Sequence, residues 1–122
     1  MPHVIIKGKV APEDIWLAFA PLEFVEGDSA FKAEEAYLST DKEVVLIRSL
    51  AVERGFKQHF LVKIARKDGD SVSLTLDKLT TPEKSEGVKR TLGLYAWKIL
   101  QAEPETVIEA TNIQEFIREP SE

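Results

Sequence analysis

The sequence predicts a single α+β domain, a two-layer sandwich. Its mostly antiparallel sheet has a central meander, with a short N-terminal helix and a long C-terminal helix followed by a last strand. Three observations predict it. Phe56 to Arg66 and Ser71 to Asp77 alternate apolar and polar residues on either side of Lys67-Asp68-Gly69-Asp70, the pattern of a hairpin with one buried face. Val88, Leu92, Tyr95 and Ile99 recur at i, i+4, i+7 and i+11, the stripe of a helix docked along one side. The 122 residues are 43% hydrophobic, enough for one core, and no linker or repeat divides residues 1–122 into two domains.

Each element follows from local chemistry. His3 to Val10 is rich in β-branched residues and predicts a strand. Pro12 suits a first helical turn, and Glu13 and Asp14 favour the positive end of the helix dipole. Ile15, Trp16 and Phe19 form the apolar stripe of this helix, which Pro21 stops. Residues 22 to 28, with Gly27-Asp28-Ser29 as punctuation, predict a loop. Between Ser29 and Ser39, composition favours helix. The alternation of Phe31, Ala33, Glu35 and Tyr37 favours strand, and strand is preferred.

Val44 to Glu53 is a long apolar run, a strand buried on both faces for part of its length. Gly55 turns the chain into the alternating segment, where Phe60, Val62 and Ile64 point inward. Lys57, His59, Leu61 and Lys63 point outward. Val72, Leu74 and Leu76 face in from the next strand. Thr81 caps a helix with Pro82 at its first position, running to Ala102 before Pro104. Thr106 to Asn112 predicts a final strand, followed by a turn that packs Phe116 and Ile117. Residues 118–122 are expected to fray.

Composition excludes several functions. Cysteine is absent, so disulfides and thiolate metal sites are ruled out. The chain has no run of eighteen apolar residues and no segment built like a secretory leader, so a cytoplasmic protein without a membrane partner is expected. A net charge of −5 disfavours nucleic acid as a partner. Phosphate loops, dinucleotide turns, His-Glu-x-x-His, calcium loops and nucleophile elbows are all missing. The two histidines, His3 and His59, lack ligand spacing, so neither a metal nor a cofactor is expected.

The charge distribution says more than the total. From Arg48 to Lys67 there are six basic residues against Glu53 alone. Clustered cations raise the local potential and attract anions. Lys57, His59 and Lys63, with Arg54 at the turn, are therefore the candidate site for an anionic small molecule or an acidic protein surface. Leu94 and Trp97 lie off the core stripe of the last helix, Trp97 nearly opposite it. They are candidate interface residues for a homodimer through residues 82–102, with Glu86 and Arg90 as a polar rim. Gly87 and Gly93 would let a neighbouring backbone approach. The expected function is a small non-catalytic binding or assembly module.

Two resemblances carry further expectations. Met1-Pro2-His3 running straight into a strand resembles the start of the tautomerase superfamily, and the element order is similar. That resemblance implies an isomerase in which Pro2, as an N-terminal secondary amine, is the general base. Arg48 or Arg54 would then bind the substrate carboxylate. Separately, a strand followed by Pro-Glu-Asp-Ile-Trp, a meander and a long helix resembles the helix-grip lipid-binding folds, which lack a strand after the last helix.

Overall fold

In a computed structural model describing residues 1–121, the α+β class holds. The elements are β1 (His3–Lys7), α1 (Pro12–Ala18), β2 (Leu22–Glu26), β3 (Ser29–Leu38), β4 (Val44–Glu53), β5 (Phe56–Asp68), β6 (Ser71–Leu76), α2 (Glu86–Ala102) and β7 (Val107–Thr111). A single 3-10 turn, Gln114–Phe116, follows. The strands form one antiparallel sheet in the order β2-β3-β4-β5-β6-β1-β7. No helix among the described residues is long and apolar enough to cross a membrane.

The alternating segment behaves as its period requires. Phe60, Val62 and Ile64 are fully buried, while Lys57, His59 and Lys63 lie on the outer face. In β4, Ser49, Leu50 and Ala51 are all buried. Leu50 points outward, but Lys32 and His59 stand directly opposite it on the two flanking strands. Their aliphatic and ring surfaces can cover it.

Residues 22 to 26 are a strand and not the expected loop. Glu23 and Glu26 bracket Phe24 and make Leu-Glu-Phe-Val-Glu look polar. The Gly27-Asp28 pair is the tip of a hairpin in which Glu26 pairs with Ser29, and Gly27 takes a positive φ of 58°. The meander therefore runs through five consecutive strands, β2 to β6, instead of three. The ambiguous segment is β3, a strand, with a bulge at Ala33/Glu35.

β1 lies between β6 and β7, so the two ends of the chain pair with each other. Side chains reinforce the seam. Asn112 Oδ1 accepts from His3 N at 3.0 Å, and Asn112 Nδ2 donates to the Met1 carbonyl at 2.8 Å. Such a pairing closes a loop of nearly the whole chain, and its entropic cost must be met before its contacts form.

The long helix starts at Glu86 and not at Pro82. Gln58 holds residues 83–85 against β5: its Oε1 accepts from Glu83 N at 2.7 Å and its Nε2 donates to Ser85 Oγ at 3.2 Å. Ser85 is the cap in place of Thr81, accepting from Val88 N at 3.3 Å. Glu53 reaches across from β4, accepting from Ser85 Oγ at 2.6 Å and from Gly87 N at 2.9 Å. A carboxylate is favoured at the positive end of a helix. Gly87 leaves room for it, since a Cβ there would overlap the Glu53 side chain. Glu53→Ala should cost about 1–2 kcal/mol, measurable as a lower urea midpoint with an unchanged slope.

The expected stripe of Val88, Leu92, Tyr95 and Ile99 is buried as predicted. The opposite side of the helix is buried too, because the C-terminal segment folds back over it. Arg90, only 3% exposed, donates to the carbonyls of Phe116, Arg118 and Glu119 at 2.8, 2.9 and 3.0 Å. It also forms a two-pronged pair with Glu26, at 3.0 Å to Oε1 and 2.6 Å to Oε2. Ser121 N and Oγ donate to the same Glu26 carboxylate. Arg118, Glu119 and Ser121, in the segment expected to fray, thus each take part in a hydrogen bond to Arg90 or Glu26; Glu122 lies outside the described residues.

Candidate functional site

Both helices meet the sheet face that carries Ala33, Ile47 and Ile64, and a cavity of about 230 Å³ remains between them. Its origin is local. Helix α1 has only seven residues, because Pro21 lacks the N–H that another turn would need; the chain leaves the helix at Phe19, which is extended at φ −66° and ψ 137°. Asp14 Oδ2 accepts from Ala11 N at 3.3 Å and holds the start of the turn. Ile15 and Phe19 then form one wall, and Tyr95 and Ile99 of α2 form the facing wall. Small side chains keep the space open: Ala33 on the floor, and Ala18 and Ala102, both exposed, at the mouth.

The cavity is apolar within. Charged groups on its lining come from Asp14, Lys98 and Glu103, of which Asp14 and Lys98 are exposed. One lining residue, Tyr95, carries a buried polar group. The Tyr95 hydroxyl lies 2.8 Å from Ser49 Oγ, which lies 3.0 Å from the Ile47 carbonyl. Burial pushes the Tyr95 phenol well above its ordinary value, while the Ser49 contact opposes that shift. Removing water penalises the phenolate, so the group stays protonated across the physiological range and serves for hydrogen bonding. The lining holds no histidine, cysteine or serine; its ionisable side chains are Asp14, Tyr95, Lys98 and Glu103. What it can do is enclose a small molecule.

The sequence-predicted cations lie elsewhere, on the outer face of the sheet. Glu34 and Glu35 of β3 stand among them, at the bulge. Arg48 lies 3.4 Å from Glu34 and 3.5 Å from Glu35, and His59 Nδ1 lies 3.9 Å from Glu34. Lys57 and Lys63 have no carboxylate within ion-pair distance among the described residues. Arg54 sits in the two-residue turn between β4 and β5, where it and Gly55 both adopt positive φ, 52° and 84°. That is the backbone of a type I′ hairpin. Acids contributed by a neighbouring strand thus divide the basic window that looked continuous along the chain.

The groups implied by the tautomerase resemblance do not converge. Pro2 is buried at the start of β1, on the inner side shared by Val4 and Ile6, whereas Arg48 is exposed on the outer side of β4. The strands β5 and β6 stand between them, a separation of about 14 Å at about 4.8 Å per strand. Neither Pro2, Arg48 nor Arg54 lines the cavity. His3 and His59 also sit on different strands, and no group of three metal-ligating side chains gathers among the described residues.

The candidate interface pair separates as well. Leu94 is fully buried within its own chain, and Gly93 lies against the Phe116 backbone. The helix face read as a subunit contact is covered there by the C-terminal segment, which leaves Trp97 partly buried. No family model, no curated protein and no solved structure matches the chain.

Proposed function

We propose that this protein is a non-catalytic binding module that takes a small, mainly apolar molecule into the cavity between α1, α2 and the sheet. The observation that carries the proposal is the open volume of about 230 Å³ with apolar walls and charged groups around it. The space opens to solvent past the exposed Ala18, Ala20 and Ala102, and apolar clefts with a few polar groups are where small molecules bind. A dry apolar cavity of about 150 Å³ is enough to hold benzene, and this one suits a fused two-ring molecule or a short branched chain. Apolar walls make water a poor occupant, since a buried water needs two to four polar partners. The site differs from the outer cationic face expected from the sequence, where Glu34 and Glu35 offset Arg48 and His59.

The test uses naphthalene as the probe and amide chemical shifts as the readout. Shifts should concentrate at Ile15, Phe19, Ala33, Ile47, Tyr95 and Ile99. Ala18→Trp places a large side chain at the mouth without entering the core, because Ala18 is exposed. It should weaken naphthalene binding at least tenfold while leaving the unfolding midpoint nearly unchanged, as exposed substitutions usually do. Shifts scattered over the outer face, or affinity indifferent to Ala18→Trp, would overturn the proposal.

A further inference from the structure

Resting on that site, we infer that the preferred ligand carries a neutral hydrogen-bond donor, an N–H or O–H on an apolar ring system, which it gives to the Tyr95 hydroxyl oxygen. The inference comes from proton inventory. Ser49 is fully buried and its hydroxyl has one proton. Its Oγ lies 3.0 Å from the Ile47 carbonyl and 2.8 Å from the Tyr95 hydroxyl. A carbonyl can only accept, so both bonds form in one way alone: Ser49 donates to Ile47 O, and Tyr95 donates to Ser49 Oγ.

The proton of Tyr95 is then committed to the protein, and its oxygen is left to accept. Among the described residues no N–H or O–H donates to it. Tyr95 lines the cavity, and Ser49 pairs across the sheet with Ala33, which lies on the cavity floor. A ligand that brings a donor satisfies the oxygen. A ligand that brings only a carbonyl places two acceptors face to face, and one without polar atoms leaves the oxygen as it was. Burial keeps the phenol protonated, so the acceptor is a neutral oxygen and favours neutral donors over cations.

Three probes on one fused five- and six-membered ring frame separate these cases: indole with one N–H, indene with no polar group, and 1-indanone with one carbonyl. Calorimetric titration of the whole protein should give the order indole, indene, 1-indanone. Indole should lead indene by about fivefold, the factor one neutral hydrogen bond supplies. Tyr95→Phe should keep indene binding, which reports an intact cavity, and abolish the lead of indole. Ser49→Ala releases the Tyr95 proton towards the cavity, and 1-indanone should then gain about fivefold on indole. Equal binding of indole and indene by the wild type, or an indole preference that survives Tyr95→Phe, would overturn this inference and leave the cavity proposal standing. Failure of all three probes to bind would overturn both.

Discussion

Arg90→Ala is expected to be the most damaging single substitution outside the apolar core, costing about 3–5 kcal/mol, the range for removing one partner of a buried ion pair. Arg90 is 3% exposed and makes five hydrogen bonds, two to Glu26 and three to main-chain carbonyls near the C-terminus. Alanine would leave the Glu26 carboxylate, whose side chain is 13% exposed, with only the half-exposed Arg118 at 3.7 Å as a cation and without its two-pronged partner. It would also leave the carbonyls of residues 116, 118 and 119 without their donor. Urea unfolding measures the loss, and faster exchange at the Ser121 amide reports release of the segment.

The same pair predicts a pH dependence. The Arg90 hydrogen bonds hold the Glu26 carboxyl at about 2, below its ordinary 4.5; burial works against that shift, and the Ser121 donors add to it. The unfolded chain takes up a proton near 4.5 and the folded chain only near 2. The contribution is therefore complete above about pH 4.5, falls as pH drops through that window, and is gone below about 2. It amounts to roughly 3 kcal/mol. Glu26→Gln should flatten this part of the stability curve. An acid limb with the same slope in Glu26→Gln as in the wild type would contradict the assignment.

Gly93→Ala is expected to destabilise by about 2–3 kcal/mol, although on helix propensity alone it should stabilise by about 1 kcal/mol. Gly93 is buried in the middle of α2, and a Cβ there would overlap the Phe116 carbonyl. That neighbour is backbone and cannot rotate away, so the segment from Gln114 onward must shift. The shift would pull the Phe116 carbonyl from Arg90. The cost of Gly93→Ala and Arg90→Ala together should thus be less than the sum of the two, since both release the same segment. A stabilised Gly93→Ala protein would show that the segment does not press on the helix in solution.

What the sequence determined by itself are the features set by local periodicity and turn chemistry. The faces of β5 and β6, the core stripe of α2, the hairpin after β5 and the early end of α1 each depend on residues a few positions apart. Their physics is contained in the window that shows them. The close approach at Gly93 was half legible, as an unexplained glycine in a helix, but its partner Phe116 lies 23 positions away.

The tertiary structure decided where a residue's environment comes from distant chain. Leu22 to Glu26 is polar enough to be a loop, and becomes a strand because β3 offers it a paired edge. Ser85 displaces Thr81 as the helix cap because Gln58 and Glu53 hold it in place. The basic window is continuous in sequence, yet Glu34 and Glu35 enter it from β3. Arg90 looked like a surface rim residue and is buried, because Glu26 and the C-terminal carbonyls satisfy its donors from outside the helix. The cavity is the extreme case: Ile15, Phe19, Tyr95 and Ile99 were each legible as core residues, but whether core residues touch or leave a space between them depends on how far apart two helices are held. No window of the sequence contains that distance.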